Sequence, residues 1–359
     1  MPGIDVVLSR LADLAAQGRA DEAVATFDLL APAGAEAVAA LADGAKLGPL
    51  VASVARRSAA HPALAASRAV VVRDAVATDL LAERTIRRVR AALDGASCRH
   101  LFLKGACFRE TLYALPWMRS MVDVDVLVHP GDGLRGFLAL RAAGFAPAPV
   151  ERREPVTDLL FRQVVFRPPD RGPALEAHLD LYDDRAGWRI DPDGLFARAA
   201  TTPSGLPTLS WEDHVLHASV HLARLAFRQP LRHVLDVHRV FATRPPDGRA
   251  LAARAREWGC SRALGLTLEA ARFAFGTEVD PVLLRETAAR GPGGAAVRAL
   301  VEPGRTDPSA VRSRRAARFA ATLLLMDRAA SRTAFLADKA CTWTLDAAAR
   351  AVLEALPCH

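Results

Sequence analysis

Val122-Asp123-Val124-Asp125-Val126-Leu127-Val128 alternates apolar and acidic residues with a period of two before the run turns fully apolar. In an extended strand successive side chains leave opposite faces. Asp123 and Asp125 therefore share one face, while Val122, Val124 and Val126 enter a core on the other. Two carboxylates held that close repel each other unless cations neutralise them. Hard divalent ions with oxygen ligands suit such a pair, magnesium above all. The competing reading is a strand whose solvent face carries two aspartates with no ligand between them.

Upstream, His100-Leu101-Phe102-Leu103 is a short apolar run that breaks at Lys104-Gly105, as a strand entering a turn would. A helix is expected over 106–115, stopped by Pro116. Glycine at such a strand-to-helix turn lets backbone amides approach a phosphate, and the helix N-terminus favours the negative charge. Lys104 adds a point charge suited to a triphosphate. Downstream, Pro130-Gly131-Asp132-Gly133 is a turn, and a second helix over 134–143 closes at Gly144. Strands are expected over 161–166 and 174–182, joined through a Pro- and Gly-rich turn. The second strand places Glu176, His178 and Asp180 on one face. Paired beside residues 122–128, it would bring Glu176 to the two aspartates. Three carboxylates on neighbouring strands can hold two metal ions and clamp both oxygens of an in-line phosphoryl displacement.

The flanks are helical. Val7, Leu11 and Leu14 repeat at helical spacing, as do Ile86, Val89 and Leu93, with Arg84, Arg87, Arg88 and Arg90 turned away. Gly95 stands where a left-handed residue would end that helix. Helices return over 211–227, 231–241, most of 250–275 and 309–356, with linkers at 290–294 and 302–308. The fold class is α+β, a small mixed β-sheet core between N- and C-terminal helical regions. Composition divides the chain at residues 1–97, 98–185 and 186–359.

At these residues the chain resembles the polymerase-β-type nucleotidyltransferase superfamily, and within it a family of uncharacterised bacterial nucleotidyltransferases. The resemblance rests on Leu103-Lys104-Gly105, on Arg119 shortly before Asp123-Val124-Asp125-Val126-Leu127-Val128, and on Glu176-Ala177-His178. His221 followed by 231–236 resembles the family's helical region with its histidine and downstream aspartate. It implies that Asp123, Asp125 and Glu176 bind two Mg2+ ions and carry catalysis, Glu176 also helping to deprotonate the acceptor. Lys104, Gly105 and Arg119 would bind the triphosphate, and His178, His221 and Asp236 would line the substrate side. The implied reaction moves a nucleoside monophosphate, AMP from ATP, to a small-molecule or peptide acceptor and releases pyrophosphate. The superfamily has Gly-Ser or Gly-Gly at the phosphate turn where this chain has Gly105-Ala106, and the 18-position interval from Gly105 to Asp123 is long. That departure motivates the alternative of a catalytically silent nucleotide- or peptide-binding helper that kept the fold.

Other groups weigh less. His214, His217 and His221 share one helix face, with His233, Asp236 and His238 nearby, but the zinc-protease spacing is missing. A hydrogen bond between His221 and Asp236 is the expected arrangement. Cys107 reads as core. Arg312, Arg314, Arg315 and Arg318 form the densest basic cluster, a solvated face by preference and an RNA-tailing contact by the minor reading. The 47 basic residues, only three of them lysine, give a net charge of +7 spread along the chain, so nucleic acid is not an expected partner. Five cysteines with no close pair read as reduced cytosolic thiols. No leader peptide or membrane span is apparent, so the expected location is cytoplasmic.

Overall fold

The computed structural model describes residues 3–148, 163–182, 188–225, 227, 230–290, 295 and 315–337. Five helices lead in: α1 (Ile4–Ala16), α2 (Ala20–Asp28), α3 (Pro32–Gly44), α4 (Gly48–Ala55) and the 34-residue α5 (Pro62–Gly95). Helix α5 begins with proline, whose missing N–H costs nothing in the first turn. It buries Ile86, Val89 and Leu93, the stripe that the periodicity marks, and leaves its arginines on the wetter side. Gly95 is its last helical residue and does not take the left-handed conformation expected of it. Ser97, at φ 50°, makes that turn instead.

The central segment follows as β1 (His100–Phe102), α6 (Gly105–Thr111), β2 (Asp123–Val128), α7 (Gly133–Ala142), β3 (Ala146–Pro147), β4 (Gln163–Arg167) and β5 (Ala174–His178). Beyond residue 185 come α8 (Pro192–Ala197), β6 (Ala200–Thr201) and β7 (Pro207–Thr208). All seven strands join one mixed sheet in the order β3-β4-β5-β2-β1-β7-β6, so the sheet draws two short strands from past the composition boundary. Strand β2 runs antiparallel to β1 and parallel to β5. Val124, Val126 and Leu175 are fully buried on one face, as the alternation demands. Val122 does not join them: it precedes the strand and is 68% exposed. Strand β5 ends at His178, so Asp180 lies beyond it rather than on the shared face.

The later helices are α9 (Trp211–Arg224), α10 (Arg232–Thr243), α11 (Gly248–Trp258), α12 (Ser261–Phe275), α13 (Pro281–Thr287) and α14 (Arg315–Leu325). Ser210 caps α9 by accepting the Asp213 N–H. The 250–275 stretch is two helices because Gly259, at φ 75°, breaks it. One continuous apolar cluster runs from Leu8 in α1 through β2 and β5 to α9, α10 and α12. Each fully buried Leu or Phe in it is worth about 1.5–3 kcal/mol. Apart from Arg290, the linkers expected over 290–294 and 302–308 lie outside the described residues, as do most of the helix over 309–356, Cys341, Cys358, Arg312, Arg314 and the side chains of Arg315 and Arg318. Among the described residues no helix is long and apolar enough to cross a membrane.

Candidate active site

Parallel pairing of β2 with β5 sets Asp125 opposite Glu176 and Asp123 opposite Ala174. Glu176 and His178 are two positions apart on β5, so the acidic face of one strand continues onto the next. Asp125, Glu176 and His178 each offer a ligand atom, and these atoms lie within 4.8 Å of one another. Among the described residues this is the one group of three such donors, and none of the α9 histidines belongs to one. Asp123, expected as a ligand, stands on the same face but outside that trio. His178, expected on the substrate side, is inside it.

Lys104 is the cation of this cluster. Its Nζ donates to Asp125 Oδ1 at 2.8 Å, and His178 Nε2 lies 3.1 Å from the same oxygen. Lys104 occupies the turn between β1 and α6 at φ 45° and ψ −121°, a backbone conformation that a side chain rarely adopts. Such strain costs on the order of 1–3 kcal/mol and persists where surrounding structure dictates it. The turn thus aims the ammonium at the carboxylates. Gly105 has its own reason: a Cβ there would come within 2.6 Å of Met121 Cγ and Sδ. It is buried under that side chain, a packing reason for glycine at the turn where the sequence reading expects a phosphate cradle.

The electrostatics show an excess of negative charge. Burial raises the Asp123 carboxyl and the Asp125 charge raises it further; the same two causes raise Glu176. Burial also works to raise Asp125, but the Lys104 ammonium and the His178 hydrogen bond outweigh it and hold that carboxyl well below the usual range. Burial opposes the charge on Lys104, yet Asp125, Glu176 and Asp123 together hold its pKa above the ordinary value. Three carboxylates against one ammonium leave a charge that a divalent cation would balance. Two carboxylates and an imidazole within reach of one another are a suitable donor set for one such ion.

Arg119, expected at the triphosphate, is engaged elsewhere. Its Nε and Nη2 donate to the two oxygens of Asp236 at 2.7 and 2.6 Å, and both side chains are 3% exposed. Tyr113 donates a third hydrogen bond to Asp236 at 2.7 Å. Asp236 is therefore held by Arg119 and Tyr113 and not by His221. Helix α10, which carries Asp236, is itself fixed by Arg239, whose Nε donates to the Leu112 carbonyl at 3.1 Å, and by His238, whose Nε2 lies 3.2 Å from Asp13.

A narrow pocket adjoins Lys104, with about 10 Å³ of free space, enough for a single water. Arg119, His214, His217, His221, His233 and Asp236 are among its walls. Thr208 Oγ1 donates to the Phe102 carbonyl, so it accepts from His214 Nε2 and leaves Nδ1 unprotonated. By the same logic the Tyr182 hydroxyl donates to the His217 carbonyl and accepts from Nδ1, leaving Nε2 unprotonated. Both bare nitrogens are buried without a partner among the described residues. Burial pushes His214 and His221 down to about 3, so these imidazoles are neutral. Cys107 is core, as its sequence context suggests: buried, with its thiol pushed up by burial.

One residue escapes the sequence reading entirely. Arg232, at the start of α10, donates from Nη1 to the Ser120 carbonyl at 2.9 Å, the same oxygen that Arg119 Nη1 reaches at 2.9 Å. No motif marks it, because its neighbours are brought to it from more than a hundred positions away.

A family model for an uncharacterised nucleotidyltransferase matches residues 31–276, well over half of the chain and all of the sheet. No curated protein and no solved structure matches it.

Proposed function

The chain belongs to that uncharacterised nucleotidyltransferase family, and on this premise we propose that it transfers a nucleoside monophosphate, AMP from ATP, to a small-molecule or peptide acceptor. In this reading its chemistry is that of the polymerase-β-type superfamily, with Mg2+ as the cofactor. The observation that carries it is the parallel register that sets Glu176 beside Asp125 while Asp123 shares the face.

Asp125 and Glu176 would hold one cation, with His178 as a further donor, and Asp123 and Asp125 a second. When bound, the ions supply charge neutralisation along the triphosphate and its leaving pyrophosphate. The acceptor oxygen attacks the α-phosphorus, a P–O bond forms, and the bond to the pyrophosphate oxygen breaks. Glu176, whose carboxyl is raised, is suited to take the acceptor proton. Lys104 is suited to move between Asp125 and the phosphates as charge develops, because its flexible stem carries a compact ammonium.

Incubation with Mg2+, ATP and candidate acceptors should release pyrophosphate, and Asp125→Asn should abolish the release in a folded protein. Normal turnover in that variant would refute the assignment. A second reading follows from the Lys104–Asp125 pair, which already neutralises the central carboxylate. A catalytically silent nucleotide- or peptide-binding helper would keep that pair and bind its ligand without help from Mg2+. Calorimetry of ATP binding with and without Mg2+ separates the two, since only the enzyme gains affinity from the ion.

A further inference from the structure

The trio beside Lys104 is not an all-oxygen set of donors. Asp125 and Glu176 bring carboxylates, but the third ligand atom within reach of theirs is a nitrogen of His178. Asp123, which would complete a set of three carboxylates, stands outside it. His178 Nε2 lies 3.1 Å from Asp125 Oδ1 and 3.7 Å from Glu176 Oε2. The sheet holds the residue in place. His178 pairs with Leu127 of β2 on one side and with Gln163 of β4 on the other, and it is 8% exposed. With its backbone fixed from both sides, the imidazole stays on the acidic face.

Donor type selects the ion. Mg2+ is a hard cation that gives up its waters reluctantly and binds through oxygen. Imidazole adds little for it, but is a good ligand for divalent ions of the first transition row, which accept carboxylates as well. The central oxygen also carries a competitor, because Lys104 Nζ donates to Asp125 Oδ1 at 2.8 Å. An entering ion has to displace that ammonium, and a bond to nitrogen helps to offset the loss. The arrangement handicaps Mg2+ and favours an ion that gains from His178.

We propose that Asp125, Glu176 and His178 form a site for a divalent transition ion of the Mn2+ or Fe2+ kind, taken in preference to Mg2+. Ligation needs the imidazole neutral with its proton on Nδ1. A part for this ion in nucleotidyl transfer rests on the function proposed above, with Mg2+ kept on the Asp123–Asp125 side and the triphosphate. Its binding chemistry does not rest on that function.

Mn2+ is the probe, since it is the weakest binder of the transition series and so the strictest comparison with Mg2+. The full chain, stripped by chelator and dialysed, is titrated with Mn2+ under electron paramagnetic resonance, with Mg2+ as competitor. Wild type should bind Mn2+ more tightly than Mg2+ by about tenfold or more, the preference that a nitrogen ligand confers. Spin-echo spectra should carry the modulation of a directly bound nitrogen, altered when the histidines are labelled with nitrogen-15. His178→Gln should lose that modulation and bring the two affinities together. Equal affinity for the two ions, a spectrum without nitrogen, or a His178→Gln variant that keeps both nitrogen and preference would each refute the site. Melting curves run alongside show whether His178→Gln is folded. If it is not, Glu176→Gln takes its place, and unchanged Mn2+ affinity there is equally fatal. A protein that shows the nitrogen signal yet releases no pyrophosphate from ATP with either ion would overturn the transferase reading and leave the site standing. Pyrophosphate release with Mg2+ but no preference for Mn2+ would do the reverse.

Discussion

Two buried ionic clusters sit near one another in this molecule, and they differ in their charge count. Around Asp236, one carboxylate accepts three hydrogen bonds from Arg119 and Tyr113, and the Arg119–Asp236 pair is almost wholly sealed from water. Around Asp125, three carboxylates share one ammonium and one imidazole, and Lys104 and Glu176 keep 23% and 29% of their side chains exposed. The first cluster is satisfied by its own residues; the second waits for positive charge and is open to receive it. Similar residue types thus stand charge-balanced and sealed in one place, unbalanced and partly open in the other.

The contrast can be broken most directly at its centre. Asp125→Asn should lower pyrophosphate release by about three orders of magnitude, the scale of several kcal/mol of lost charge stabilisation, with an unchanged circular-dichroism spectrum. A loss of less than tenfold would put the Asp125 cluster in the same class as the Asp236 one. The reverse experiment is Asp236→Ala, which strands Arg119 in the interior. Urea denaturation should show it less stable by about 3–5 kcal/mol, and a change close to zero would mean that the sealed pair is dispensable.

A smaller effect tests how tightly the Lys104–Gly105 turn is packed. Gly105→Ala should cost about 1–3 kcal/mol in the same denaturation experiment through overpacking against Met121. Met121→Ala in the same chain should restore part of that loss, because the clash is with a side chain and not with backbone. No restoration would mean that the glycine is needed for something other than this contact.

The finest test is pH. Because Asp123 and Glu176 are raised by burial and by Asp125, the folded chain keeps their protons to higher pH than the unfolded chain does. Their contribution to stability is present below the ordinary carboxylate value and is lost as pH rises through the raised one. Asp125 runs the other way and loses its contribution as pH falls below the ordinary value. In EDTA, melting temperatures between about pH 4 and 7 should therefore show a downward component that Glu176→Gln reduces, Asp123 supplying the rest. Added Mg2+ should flatten it in the wild type. A wild-type profile identical in EDTA and Mg2+ would leave the three carboxylates without the tension that distinguishes them.

Much of the scaffold could be read from the chain because periodicity is local. Strands β1, β2 and β5, helices α5 and α7 and the shared face of Asp123 and Asp125 follow from alternation or from 3.6-residue stripes. The two-residue strands β3, β6 and β7 could not be found this way, since a period needs more residues than they have. His221 with Asp236 was a reasonable pairing by helical position. It failed because Arg119, from 117 positions away, offers a bidentate fork that a single imidazole nitrogen cannot match. Arg232 was invisible for a related reason: nothing in its neighbours along the chain tells which charges its guanidinium will meet.

What the sequence alone determined was which side chains leave a strand together, because side-chain direction is fixed by the backbone period of the strand itself. What only the tertiary structure decided was their partners: the register that sets Glu176 against Asp125, the turn that lays Lys104 on that carboxylate, and the pairing of Arg119 with Asp236. Charge neutralisation acts through space and depends on burial, so the same arginine or lysine becomes a strut or a ligand only once folding has chosen its neighbours.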